Sequence, residues 1–186
     1  MSTSTTKKTT RPQAFTLIEL LVVISIIAIL ASLAFPAIGG AMDSAKKTTA
    51  KNAAVQIANA VVAYETEYGK LPPLSSSASS SDSGGDVGAF LTAILSGASG
   101  NTNNARAITF LEIGDYKKGK GGVTNGNYLD PWGGTYQIYL DYDYNNRLTN
   151  TFPKLSGTGT ESLSLTKKVA VWNTNASTKL LIRSWE

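Results

Sequence analysis

FTLIELLVVISIIAILASLAF, residues Phe15 to Phe35, carries a single charged side chain, Glu19, in an otherwise apolar run. A helix crosses the hydrocarbon core of a bilayer with roughly 20 mainly apolar residues, so this stretch is long enough to span a membrane. A carboxylate inside such a span is costly and calls for a partner charge. The fold therefore opens with a membrane helix, and the function turns on what Glu19 meets.

The residues before the run are basic, with Lys7, Lys8 and Arg11 and no acid. Positive charge on that side keeps the leader cytoplasmic and sends the C-terminal part across the membrane. An ordinary secretory signal peptide, cut after Ser32-Leu33-Ala34, is the competing reading. Its apolar region is usually only about 7 to 15 residues and free of acids, and the helical pattern here continues past that cut.

Ala14, Phe15, Thr16, Leu17, Ile18, Glu19, Leu20 and Leu21 resemble the prepilin signature of type IV pilins and type II secretion pseudopilins. The resemblance implies that a prepilin peptidase cuts between Ala14 and Phe15 and methylates the new amine of Phe15; Ala14 stands where the family usually has Gly. It also implies that Glu19 of an incoming subunit pairs with the Phe15 amine of the previous one and sets the register of the filament. The physics agrees, because a new ammonium group and the positive end of the helix dipole suit a carboxylate one turn away or on a neighbouring helix. Glu19 facing only its own N-terminus, or interfacial water, is the plainer alternative.

Of the 186 residues, leader and span leave enough chain for one domain of ordinary size. The leader holds three of the 17 basic side chains and none of the 13 acidic ones, leaving fourteen against thirteen and a net charge of +1. The remaining basic residues are scattered and lack interleaved aromatics, so no nucleic-acid partner is expected, and Lys46, Lys47 and Lys51 read as a solvated helix face. Cysteine and histidine are absent. Disulfides, thiolate and imidazole metal sites, and Ser-His-Asp or Cys-His catalysis are thereby excluded.

Beyond Pro36, the residues Ala50, Ala54, Ile57, Val61, Tyr64 and Tyr68 recur at spacings of four and three, the apolar face of an amphipathic helix. A helix from Phe15 to Tyr68 would run for about 80 Å. Pro36 and the Gly39-Gly40 pair predict a kink or local melting near residues 32 to 40, and Gly69, Pro72 and Pro73 end the helix. Residues 75 to 88, nearly all Ser, Gly, Ala and Asp, read as a flexible loop. Val87 to Leu95 predicts a short helix, Ala107 to Ile113 a strand, and Asp115 to Gly126 an exposed loop that lacks the strand-to-helix context of a phosphate cradle. Tyr136, Ile138 and Leu140 alternate with polar or outward residues as in a half-buried strand. Two more strand candidates, Lys167 to Trp172 and Leu180 to Trp185, flank a connection at Asn173 to Ser177.

Asp130, Pro131, Trp132, Gly133, Gly134, Thr135 and Tyr136 resemble the D-P-W-G-x-x-Y motif of the major pseudopilin of type II secretion. Pro131 fixes a turn, the glycines permit unusual backbone angles, and Trp132 and Tyr136 are expected to anchor it on the sheet edge. That family suggests calcium in a C-terminal loop, but residues 173 to 177 hold no carboxylate, whereas calcium wants six to eight oxygens, several of them from acids. Asp141, Asp143 and Asn145 alternate without the Gly or the bidentate acid of a calcium loop, so they read as a solvated turn, and no cofactor is expected.

Together these readings give an α+β fold of type IV pilin-like layout, a long N-terminal helix on a small antiparallel sheet. Its parts are a leader (1–14), a transmembrane and assembly helix (15–35), an amphipathic continuation (36–68) and a globular domain (69–186) with its sheet in 107–186. The implied function is a non-enzymatic pseudopilus subunit in the bacterial inner membrane, its C-terminal domain periplasmic, serving protein export. The implied partners are itself, other pseudopilins, a prepilin peptidase and an inner-membrane assembly platform. A surface pilin for adhesion, motility or DNA uptake is the alternative of the same class. A non-polymerising membrane-anchored binding module is the alternative of another, and an anchored hydrolase would have to draw on Asp115, Asp130, Asp141 and Asp143.

Overall fold

A computed structural model describes residues 15–75, 81–154, 159–173 and 181–185. Along the chain come α1 (Leu17–Tyr68), β1 (Ser83–Asp86), α2 (Ala89–Leu95), a 3₁₀ turn (Thr102–Asn104), β2 (Gly122–Thr124), β3 (Asn127–Leu129), β4 (Tyr136–Leu140), β5 (Leu148–Pro153), β6 (Thr160–Leu165) and β7 (Val169–Asn173). The chain divides into two compact units, residues 1–42 and 43–186. The layout is α+β, as the sequence predicts.

In the first unit, every large apolar residue from Phe15 to Phe35 is exposed, including Leu17, Ile24, Leu30 and Phe35. Water does not tolerate such a surface, whereas lipid does. The hydroxyls of Ser25 and Ser32 donate to the carbonyls of Leu21 and Ile29 at 2.6 and 2.7 Å, so the helix satisfies its own polar side chains. The melting expected near residues 32 to 40 does not occur: α1 is unbroken across Pro36, Gly39 and Gly40. Proline removes one hydrogen bond from a ladder that continues for many residues on either side, and the neighbouring bonds hold the helix together.

In the second unit, the predicted stripe is buried: Ala50, Ala54, Ile57, Val61 and Tyr64 are sealed from solvent. They pack with Leu91, Ile94 and Leu95 of α2 and with Ile138, Leu140 and Val171 of the sheet in one core. Each fully buried Ile or Leu contributes about 1.5–3 kcal/mol by leaving water. Gly69, with φ of 68°, caps the helix through its N–H to the Glu65 carbonyl at 2.8 Å.

The central sheet has the antiparallel order β1-β4-β7. Successive residues of β7 face opposite sides: Val169 and Val171 join the helix-side core, while Ala170 and Trp172 join a second cluster with Leu148, Phe152 and Leu181. The hairpin of β5 and β6 closes that second cluster, which is why β7 is buried on both faces.

Four expectations need correcting. Residues 83–86, read as part of a flexible loop, form β1, because Gly84 lies beneath the Tyr139 ring where a Cβ would come within 2.6 Å of it. The sheet therefore starts well before residue 107; residues 76–80 of that loop lie outside the described residues. Ala107 to Ile113 is not a strand: Ala107 takes φ of 50°, and the segment is held by Asn104, whose amide donates to the Ile94 and Ile108 carbonyls and whose oxygen accepts from the Ile108 N–H and the Tyr68 hydroxyl. The loop at 115–126 contains β2, paired with β3 across Asn125 and Gly126, both at positive φ as this two-residue turn requires. The last predicted strand reduces to a bridge between Trp172 and Arg183; residues 174–180, which include most of the predicted connection and Leu180, lie outside the described residues.

Candidate functional site

Thr16 and Glu19 build the start of α1. The Glu19 carboxylate accepts the backbone N–H of Thr16 at 3.1 Å and its hydroxyl at 2.9 Å, while the Thr16 hydroxyl accepts the Glu19 N–H at 3.3 Å. This reciprocal arrangement is a capping box, and its T-x-x-E spacing was available in the sequence as a signal for Thr16. Glu19 thus gathers positive density from its own helix end. Phe15 is 81% exposed. Ala14, the other side of the predicted cut, lies outside the described residues.

The second assembly of predicted residues is the turn at 130–136. Asp130 is fully buried. One carboxylate oxygen accepts the N–H groups of Trp132 and Gly134 at 2.9 and 2.7 Å, and the other accepts the Asn173 side-chain amide at 2.8 Å. Asn173 in turn accepts the Ile182 N–H at 2.8 Å, so one buried acid links this turn, the end of β7 and the C-terminal segment. Gly133 is required at φ of 89°, and a Cβ on Gly134 would press on the Asp130 carboxylate at 3.1 Å. Pro131 is buried in the same turn.

Tyr136 departs from its expected place. It lies in β4, the middle strand, and not on the sheet edge; its ring is buried and its hydroxyl donates to the Ala50 carbonyl of α1 at 3.2 Å. Burial, reinforced by Tyr128 and Asp130 nearby, pushes the ionisation of that hydroxyl far up, so it remains a donor. Trp132 packs half-buried against the same core. The turn is thus a joint between helix, sheet and C-terminus, and no reacting group faces solvent in it.

A third grouping was only partly legible. Asp141 and Asp143 meet Asp82, with carboxylate oxygens from all three within 4.8 Å of one another. Burial and then the neighbouring Asp143 charge raise Asp82 above the usual carboxylate range; burial and then a shared hydrogen bond with Asp143 raise Asp141. The calcium suggested by the family resemblance can be tested on these donors. Asp141 accepts the N–H groups of Asn145 and Asn146, and Asp143 accepts both the N–H and the amide of Asn145, so the turn already engages four of the six oxygens. Of the oxygens of these three acids, Oδ1 of Asp82 is buried without a hydrogen-bond partner among the described residues, and calcium wants six to eight oxygens. Most of these donors are thus already engaged within the turn itself.

Of the acids proposed for a hydrolase, Asp141 and Asp143 meet in this group, while Asp130 is locked in its turn and Asp115 is exposed and bridged to Val123. A groove of about 590 Å³ runs along Val55, Ala58, Asn59 and Val62 to Lys167, Lys168 and Trp185, and no acid lines it among the described residues.

A family model described as Prokaryotic N-terminal methylation motif matches residues 10–35. No curated protein and no solved structure matches the chain significantly. The matched residues take in the basic Arg11, the Ala14-Phe15 junction, the capping box and the whole apolar run. The motif implies processing by a prepilin peptidase, and an exposed apolar helix behind it fits anchoring in a membrane. A prepilin-type methylation signal joined to an α+β domain with a long N-terminal helix supports placing this chain among the type IV pilin-like proteins, structural subunits that are generally not enzymes.

Proposed function

We propose that the chain is a structural subunit of a type II secretion pseudopilus, drawn from the inner membrane into a filament by helix packing and by pairing of Glu19 with the N-terminal amine of a neighbouring Phe15. The observation that carries this reading is the wholly exposed apolar surface from Phe15 to Phe35, interrupted by one carboxylate inside a prepilin-type signal. Such a surface is soluble in lipid, and it can leave lipid only by packing against equivalent helices. Cleavage before Phe15 adds an ammonium group beside the capping box. Glu19 then has two possible cationic neighbours, its own helix end and the amine of the preceding subunit, and transfer between them costs little because neither leaves it unpaired.

The turn at Asp130 to Tyr136 favours a pseudopilin over a surface pilin. Its residues resemble the D-P-W-G-x-x-Y motif of the major pseudopilin, and in this fold it joins helix, sheet and C-terminus. Assembly partners are further copies, other pseudopilins and an inner-membrane platform, with the C-terminal domain on the periplasmic side. The chain needs no resident metal for this role.

The test is to overproduce the chain in its own cells, shear them, image the fibres, and measure the mass of the subunit they contain. Fibres of a chain beginning at a methylated Phe15, together with a loss of protein export on gene deletion, are expected. Fibres with unimpaired export would mark a surface pilin. A chain that retains Met1 and forms no fibres would overturn polymerisation.

A further inference from the structure

Six lysines fall in two short segments, Lys46, Lys47 and Lys51 on α1 and Lys117, Lys118 and Lys120 in the turn before β2. The fold joins them: a Cβ built on Gly119 would lie 3.8 Å from Cε of Lys46. The turn is firmly built. Lys117 and Gly121 exchange backbone hydrogen bonds at 3.1 and 3.0 Å, and the Gly119 N–H donates to the Pro131 carbonyl at 3.1 Å. Lys47, Lys51, Lys117, Lys118 and Lys120 are exposed, and the Lys46 side chain, 29% exposed, lies 3.8 Å from Asp43.

Charge is segregated here. Residues 43–51 and 115–122 contain these six lysines and two acids, Asp43 and Asp115, a balance of four positive charges. The other residues from Phe15 onward hold eight basic and eleven acidic side chains, a balance of three negative. The patch holds no arginine, and Tyr116, the aromatic of the turn, is half-buried, so neither bidentate phosphate recognition nor base stacking is on offer. Compact, hydrated ammonium groups suit a diffuse sheet of headgroup phosphates instead. Lys46 also follows Phe35 by only eleven residues, so in the sequence itself the first lysines of the patch come soon after the run that would enter the bilayer.

We infer that this lysine patch docks the domain on anionic phospholipid headgroups of the membrane that anchors the chain. The inference rests on the membrane anchor and is independent of polymerisation. Contact with headgroups would hold the subunit at the surface before assembly, and leaving the membrane would break it.

The test uses the full chain reconstituted in vesicles of phosphatidylcholine alone, or with about 30% phosphatidylglycerol, followed by brief acetylation and peptide mass analysis of each lysine. Lys46, Lys47, Lys117, Lys118 and Lys120 are expected to react several-fold more slowly in the anionic vesicles, with Lys154 and Lys167 unchanged, and about 0.5 M salt should erase the difference. Charge reversal at Lys117, Lys118 and Lys120 together should restore the rates at Lys46 and Lys47. Equal rates in both vesicles, or slowing that includes Lys154 and Lys167, would overturn the proposal while leaving the anchor intact. Equal protection by added DNA or inorganic phosphate over neutral vesicles would overturn the lipid assignment. A chain that floats with neither vesicle would overturn the anchor and this proposal together.

Discussion

The side-chain amide of Asn173 donates to the carboxylate of Asp130 at 2.8 Å, and both residues are completely buried. This contact spans 43 residues of sequence and joins a turn to the end of the last sheet strand. An acid so placed is held by three donors, and removing it takes this acceptor from all three in a largely buried turn.

Asp130→Ala should therefore cost about 3 kcal/mol, and Asn173→Ala about 2 kcal/mol. Because the two share one network, the double variant should lose less than the sum by about 1 kcal/mol or more. Urea unfolding of the full chain in detergent measures all three. Simple additivity would mean that the pair acts as two independent caps.

Tyr136→Phe keeps the ring and deletes the bond to the Ala50 carbonyl, with an expected loss of about 1 kcal/mol. Tyr136→Ala also empties the core position and should cost about 3–5 kcal/mol. The gap between the two variants, read in the same unfolding experiment, separates packing from hydrogen bonding.

The Asp82, Asp141 and Asp143 group gives a pH signature. Asp82 and Asp141 bind protons more tightly in the folded than in the unfolded chain, so their contribution is most favourable below the usual Asp range of about 4 and is lost as pH rises through their raised values. Asp82→Asn removes one repelling charge. It should raise the melting temperature at pH 7 by a degree or two, a gain of about 0.5 kcal/mol for a partly screened contact, and the gain should vanish near pH 4. A variant less stable than the parent at pH 7 would show that the carboxylate is needed as an acceptor.

At the N-terminus, two substitutions separate local capping from assembly. Thr16→Ala breaks the capping box but leaves the Glu19 charge, and fibre yield should fall only modestly. Glu19→Ala should bring fibres to background while the monomer still inserts in the membrane. Equal losses from both variants would assign Glu19 to helix capping alone.

The ion pair of Lys168 with Glu65 has a sign of its own. The hydrogen bond from Lys168 to Glu65, 2.6 Å long, raises the lysine above its ordinary value, so this contact stabilises below the unfolded lysine pKa and is lost as pH climbs past the raised one. Lys168→Met should lower stability at neutral pH and abolish the further loss that the parent shows as pH climbs past the raised lysine value, read by urea unfolding from neutral to alkaline pH.

Periodicity carried the long helix and its buried stripe: Ala50, Ala54, Ile57, Val61 and Tyr64 are the residues the spacing selects. It carried β4 for the same reason. Partners distant in sequence were beyond it. Nothing local joins Asp130 to Asn173, or Asp82 to Asp141, because each pair is brought together only when β4 pairs with β7 and with β1. Other signals were present and were outweighed by composition. Asn125-Gly126 is a hairpin turn inside a lysine- and glycine-rich stretch that reads as loop, and Thr16-x-x-Glu19 is a capping box overshadowed by the question of a buried charge. The β5-β6 pair was missed because Leu148, Phe152, Leu163 and Leu165 are spread thinly among Thr, Ser and Asn, and become apolar partners only where Trp172 covers them.

Gly84 separates two kinds of drift in an otherwise repetitive tract. At position 84 any side chain would drive the Tyr139 ring off its strand and peel away the outermost ribbon, whereas nothing lies within 4 Å of a Cβ built on the adjacent Gly85. A stretch that looks like interchangeable filler therefore holds one position where substitution should be purged, and a tolerance profile across residues 81 to 86 should show a single sharp dip there.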